Sequence, residues 1–358
     1  MALRLHSLSL LLQSALVHAG PDTRTRSANM SPKSAQKPSP KTFMKTLYNP
    51  RFLQTVLAAL LMPSLFLLTT RNAGACACGC GVFDTGTLWN FPQGPGGMVY
   101  TEYAFSSQSH NWNNLGPSAA ANNDDKLIQT SWMIGGFQYF FNRDWGFELQ
   151  VPTASRIFAH NSDDAGSVVN NNWYTLGDMR LIGYYTGLLK NMNTGLQFGL
   201  KLPTGTWNQA GIDRDTQIGT GSTDLLLGFY THHHFVPGSN FNWFAQSMFD
   251  LPMATQAGYR PGVELDSALG FYVDGIHLGK VQIQPLGQML VSNRASDQGP
   301  NANPQNSGYQ RVLLSPGFQI DIHPIRIYAD AELPVIQSVV GQQLISQCMV
   351  KVNVSYMF

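Results

Sequence analysis

Charge is what this sequence has least of. Lys, Arg, Asp and Glu make up 12% of its 358 residues, against roughly 25% in ordinary soluble domains. Long apolar runs are scarce too. The single one is "FLQTVLAALLMPSLFLL", from Phe52 to Leu68. With a mean hydropathy of −0.12, that excludes a bundle of membrane helices, each of which needs about 20 apolar residues. Four cysteines, with no CxxC pair and second half, leave the usual structural zinc pattern incomplete. No "GxSxG" elbow occurs, so a common serine-hydrolase signature is missing. Gly (34) and aromatic residues (11%) are plentiful instead.

The charge that is present is split by sign. Residues 1–75 hold nine Lys/Arg and one Asp, and residues 76–358 hold 13 Lys/Arg and 20 Asp/Glu, so the formal +1 is +8 followed by −7. The later part therefore lacks an electrostatic basis for binding nucleic acid. Lys45 and Arg51, the apolar run and the small residues Ala73 and Ala75 together describe a secretory signal over residues 44–75, cleaved before Cys76. Residues 1–43 are rich in Pro, Ser and Lys without a core-forming pattern, and read as an extension ahead of a true start at Met44. Mature protein from a Gram-negative host is expected to begin at Cys76. An N-terminal sequence upstream of Met44, or a chain that keeps the apolar run, would contradict this.

From residue 97 onward the pattern is period two. The chain ends "QCMVKVNVSYMF", with Val350, Val352, Val354, Tyr356 and Phe358 on one face and Lys351, Asn353 and Ser355 on the other. A terminal apolar strand in water would expose its edge and its Phe; in lipid the apolar face is satisfied. The same alternation recurs in "MVYTEYAF", "LIQTSWMIGGFQYF", "WGFELQV", "DMRLIGYY", "GLQFGLKL", "DLLLGFYTHHHF", "FNWFAQSMFDL", "VELDSALGFYV", "VQIQPLGQML", "RVLLSPGFQIDI" and "IRIYADAELPV". Each is about 10 residues, the length that crosses a bilayer when tilted. Connections alternate between short ("NRD", "KNMNT", "VPGSN", "GIHLG", "HP") and long, with both strand termini on the short side. Short periplasmic turns and longer outer loops mark an outer-membrane barrel. The expected fold is all-β: an antiparallel transmembrane β-barrel of about 12 strands over residues 97–358, preceded by a Cys/Gly-rich periplasmic or plug segment at 76–96.

The strand phase assigns the lumen. Inward go Glu102, Glu148, Arg156, Asp178, Arg180, Lys201, Asp224, Asp250, Glu264, Asp266, Arg311, Asp321, Arg326, Asp330, Glu332 and Lys351. Such charges either pair with each other and close the lumen or line a selective path. Inward aromatics (Tyr100, Tyr184, Tyr230, Phe244, Tyr272, Tyr328) suit an aromatic permeant or simple space filling. Cys76, Cys78 and Cys80 suit a soft metal ion, a Cys76–Cys80 disulfide or lipidation at Cys76. His232 and His234 point inward near the short-turn end, as metal ligands on the side of the Cys segment or as an interfacial belt. Cys348 falls in the lipid-facing row, roughly 25 Å across the membrane from the short-turn end. The outer loops around Asp124, Asp125, Asp163 and Asp164 lack a spaced calcium-binding pattern and read as solvated.

The terminal Tyr356-Met357-Phe358 resembles the C-terminal assembly signal of bacterial outer-membrane barrels, which implies the barrel-assembly machinery as a partner. "LGDMRLIGYY" (Leu176–Tyr185), "LKLPTG" (Leu200–Gly205) and "GTGSTDLLLGFY" (Gly219–Tyr230) resemble a family of outer-membrane transporters assigned to the meta-pathway of phenol degradation. That resemblance implies passage of small hydrophobic or aromatic molecules and brings no catalytic residues with it. The expectation is thus a barrel in outer-membrane lipid that passively admits a small-molecule permeant, without enzyme activity or cofactor. The alternatives are a periplasmic-side Cys/His metal-binding role and a barrel lipid hydrolase, for which His110 and His160, with Ser109 and Ser162, are the candidate residues.

Overall fold

In a computed structural model of the chain, residues 74–75, 94–162, 167–189 and 191–358 are described. Wall strands follow the order β1 (Gly96–Asn114), β2 (Asp125–Phe140), β3 (Trp145–Asn161), β4 (Val168–Leu176), β5 (Met179–Tyr185), β6 (Thr194–Leu202), β7 (Thr223–His234), β8 (Phe241–Ala254), β9 (Glu264–Val273), β10 (Val281–Arg294), β11 (Tyr309–Ile322) and β12 (Ile325–Met357). Successive strands pair antiparallel, except that β4 and β5 both pair with β3. The ring closes where β12 meets β1, from Val339↔Asn114 to Met357↔Met98, and β9 pairs β10 from Glu264↔Arg294 onward. A closed ring satisfies every wall N–H and C=O without water, the condition for crossing a bilayer with strands.

Two details give the count of staves. β4 and β5 both pair β3 and form one stave, interrupted at Gly177–Asp178. β12 is a hairpin. Its first half pairs β11 and its second half pairs β1, while Met357 N–H donates back to Pro324 O at 2.8 Å. Gly341, at φ +65°, supplies the left-handed residue at its tip. Eleven ring elements thus make twelve staves, in agreement with the sequence expectation. The described residues contain no helix long and apolar enough to cross a membrane.

Burial follows the predicted phase. Along β1, Met98, Tyr100, Glu102 and Ala104 are buried, while Val99, Thr101 and Tyr103 are exposed. In the last stave Lys351, Asn353 and Ser355 are buried, and Val350, Val352, Val354, Tyr356 and Phe358 face outward. A protein that exposes its apolar rows and buries its charges is built for an apolar solvent outside. At the short-turn end the outward aromatics form a belt: Trp145 lies 4.8 Å from Tyr185, Phe241 5.5 Å from Phe271 and Phe137 6.3 Å from Phe358. Amphipathic and aromatic rings favour the headgroup level, so this belt fixes the depth of the barrel.

Cys348 is an exposed free thiol on the outward side, as expected. Cys348→Ser should leave stability within about 0.5 kcal/mol of wild type, checked by the temperature of the heat-modifiable gel shift. Cys76, Cys78 and Cys80 lie outside the described residues. Just before them, Gly74–Ala75 pairs in parallel with Gln305–Asn306, in the last long loop. That is the end opposite to the one expected for the Cys segment.

Candidate functional site: the closed lumen and its inward loop

Of the sixteen charged residues assigned to the lumen by phase, thirteen are buried, and Arg180, Arg311 and Asp321 are partly buried. A wide water-filled pore would leave them accessible. They are buried instead, in three tiers.

The tier nearest the short turns centres on Glu148 of β3. Its carboxylate accepts from Tyr100 Oη at 2.5 Å, from Tyr184 Oη, from Gln150 at 2.9 Å and from Gln138 at 3.3 Å. Fully buried Tyr230 and Phe244 continue this aromatic layer. Across the lumen, on β10 to β12, the lining is amide and charge. Gln288 donates to Tyr328 Oη at 3.0 Å and to Asp330 at 3.1 Å, Arg326 pairs with Asp321 at 2.6 Å, and Lys351 with Glu332 at 3.3 Å. Glu102 stands in register with Asn353. Aromatic rings, amides and charges thus share the lining at this level.

The middle tier is an ion-pair network. Lys201 of β6 meets Asp250 of β8 at 2.7 Å and pairs with Asp224 of β7, while Arg180 lies 3.9 Å from Asp250. Nearby, Tyr309 donates to Glu264 at 2.6 Å, Asp266 stands in register with Ser292, and Arg311 stacks on Tyr309 at 4.8 Å. Buried pairs of this kind fix geometry more than they add stability.

The outer tier is a loop, residues 203–222, between β6 and β7. By the alternation of short and long connections, residues 208–221 form one of the long outer loops; the structure folds them into the barrel. Thr216 is fully buried, and Gln217 and Ile218 nearly so. The latch is Asp178, whose carboxylate accepts Gly205 N–H at 3.0 Å, Thr220 N–H at 2.7 Å and Thr220 Oγ1–H at 2.6 Å. Gly205 and Gly219 touch backbone to backbone: a Cβ on Gly219 would stand 2.4 Å from the Gly205 carbonyl carbon, so no other residue fits. The three motifs singled out in the sequence, around Asp178, Gly205 and Gly219, are thus one object in space. Arg156 reaches in from β3 to donate to Thr216 O at 2.6 Å and Gln217 O at 3.3 Å. Above, the Arg214 guanidinium sits over the rings of Tyr259 (4.3 Å) and Trp207 (5.1 Å). Tyr259 donates to Asp297 at 2.7 Å, as does Arg294, which links the next two loops to the same cap.

At the loop's outer rim, Asp125 is not simply solvated. Burial first, then the negative charges of Asp215, Asp213 and Asp124, with Lys126 opposing, push its carboxyl up to about 7. A carboxyl whose value is raised in the docked state holds a proton that it releases on undocking. Docking should therefore weaken as pH rises from about 4 to about 7 and change little above. Limited proteolysis within 206–222 should speed up across that window, and Asp125→Asn should flatten the profile.

The other candidates fare differently. His232 is buried and His234 exposed, with His234 Nδ1 3.9 Å from Asp274. Among the described residues no three His, Cys, Asp or Glu side chains gather as a metal site. Ser109 Oγ lies 3.2 Å from His110 Nδ1, but the other ring nitrogen meets Gln347 at 3.1 Å, where a triad needs a carboxylate. His160 Nδ1 meets the Asn161 carbonyl at 2.8 Å and its Nε2 lies 3.2 Å from Asn171, again amide partners. Asp163 and Asp164 lie outside the described residues.

No family model matches the sequence, and no curated protein matches it. Solved structures do match. An outer membrane channel from Pseudomonas putida F1 is similar with a TM-score of 0.57 at 12% identity, over 77% of this chain and 100% of that one. LpxR from Salmonella typhimurium gives 0.39 at 8% identity, over 73% and 100%, and the CymD monoaromatic hydrocarbon channel gives 0.38 at 9%, over 74% and 89%. The fold is that of a bacterial outer-membrane β-barrel.

Proposed function

We propose that this barrel is an outer-membrane channel that passively admits small hydrophobic or aromatic molecules, and that the loop 203–222 is its outer closure. The observation that supports this most is the latch. A barrel needing only stability has no use for a loop drawn inward and held by a few polar contacts to Asp178 and Arg156, whereas a channel needs a closure that can be released. The aromatic layer of Tyr100, Tyr184, Tyr230 and Phe244 beneath it offers ring faces to an aromatic permeant. The likeness to the Pseudomonas putida F1 channel and the motif resemblance point the same way. Proteoliposomes carrying the barrel should take up toluene and phenol faster than lipid alone and should exclude disaccharides. Uptake no faster than lipid alone would overturn the reading. Hydrolysis of added phospholipid or lipopolysaccharide would replace it with the hydrolase alternative.

A further inference from the structure

Six inward side chains on β2, β3 and β4 form a compact block under the loop. In register they are Thr130, Arg156 and Trp173 in one row, and Trp132, Ala154 and Thr175 in the next. The block is rich in hydrogen-bond donors, and Arg156 is its only ionised member. Trp132 is 8% exposed, yet its indole N–H has no hydrogen-bond partner, and neither has the buried indole N–H of Trp173. A buried donor left unpaired is costly, and two on one block ask for an acceptor. The loop covers this block with a particular chemistry. Two oxygens, of Thr216 and Gln217, sit on Arg156 Nη1. The buried Ile218 follows them directly and joins the apolar cluster that holds Trp132 and Ala154, with Trp173 packed against it.

We infer that this block is a binding site for a small aromatic or aliphatic carboxylate, and that loop residues 216–218 occupy it as an internal substitute. Two adjacent oxygens on an apolar body reproduce what the loop presents to Arg156. The same oxygens bring the acceptors that the two indoles lack. A carboxylate engages a guanidinium through a bidentate, charge-assisted pair, so it competes with neutral carbonyls for Arg156. Its binding displaces the loop segment, and the ligand is then its own opener. This rests on the channel reading and names the class of permeant that reading leaves open.

The test compares benzoate with toluene, bodies of similar size that differ in the carboxylate. Both binding to the detergent-solubilised barrel and uptake into proteoliposomes are measured. Wild type should bind benzoate at least tenfold more tightly than toluene. That preference should fall by about tenfold in Trp132→Phe, which keeps an aromatic ring but loses the indole N–H together with the pyrrole half, a packing loss that both ligands share, and by more in Arg156→Gln. Trp173→Phe serves as a second indole variant if Trp132→Phe does not give the heat-modifiable folded form. Equal affinity for the two ligands in wild type, or an undiminished benzoate preference in folded indole and Arg156→Gln variants, overturns the inference. Rapid toluene uptake without benzoate preference would do so while leaving the channel standing. Uptake of neither would remove the channel reading itself.

Discussion

Deleting Phe358, or replacing it with Asp, is expected to cut the folded, heat-modifiable barrel in outer-membrane fractions by at least tenfold, with synthesis unchanged. Phe358 is where the cylinder closes. Its N–H donates to Gly97 O and its O accepts Gly97 N–H, both at 2.9 Å. Its ring lies directly on Gly97, where a Cβ would come within 2.7 Å of it. These contacts start the seam between β12 and β1, the pairing with the longest sequence separation in the ring. Loop-closure entropy makes such a seam the last to form. The ring also sits in the aromatic belt, where a carboxylate is poorly placed. The loss of two hydrogen bonds amounts to only about 1–3 kcal/mol. The larger share of the expected effect rests on the resemblance of Tyr356-Met357-Phe358 to an assembly signal, so Phe358→Tyr should behave nearly as wild type. Normal accumulation of the deletion variant would count against that account of assembly.

The second large effect is expected at Asp178. Asp178→Ala removes the acceptor for two backbone N–H groups and one hydroxyl. Hydrogen bonds to a charged group contribute roughly 1.5–3 kcal/mol each when buried. Water recovers part of this once the loop swings out, so a net shift of about 3 kcal/mol, or on the order of 100-fold in the open population, is the working figure. In planar bilayers the variant should show a higher open probability, and in solution the 206–222 segment should be cut far faster by protease. Asp178→Asn keeps one acceptor oxygen and should fall between. The barrel should persist, because Asp178 lies at the break between β4 and β5 and not within a ladder. Unchanged conductance and protease resistance would mean that the latch does not hold the loop.

The wall was legible because lipid outside and polar groups inside impose a strict period of two. Phase alone therefore placed Glu102, Glu148, Lys201 and Lys351 inward. Where the strands run past the hydrocarbon, that rule weakens. The outer part of β1, "SSQSHNWNN", and β4, "VVNNNWYTL", read as loops because water on their outer face asks for no apolar row. The same reasoning hid the inward loop. "NQAGIDRDTQIG" is polar like any surface loop, and what draws it in lies elsewhere in the chain, at Asp178 and Arg156. Its only local trace was the Gly-rich flanks, around Gly205 and Gly219. These flanks carry the motif resemblance, but they do not read as two backbones in contact. The unpaired indoles of Trp132 and Trp173 had no sequence signal, since an inward Trp looks like filler until its N–H is followed.

The loop as closure can be tested by locking it. Thr175 Oγ1 and Thr206 Oγ1 lie 2.6 Å apart, so cysteines there place two sulfurs close to bonding distance. With Cys348→Ser as background, Thr175→Cys/Thr206→Cys barrels would be reconstituted in liposomes and phenol uptake followed before and after reduction, beside the reduced background protein. The account predicts uptake at the lipid-only rate when the bond is formed and at the background rate once it is reduced. Equal uptake in both states would contradict it.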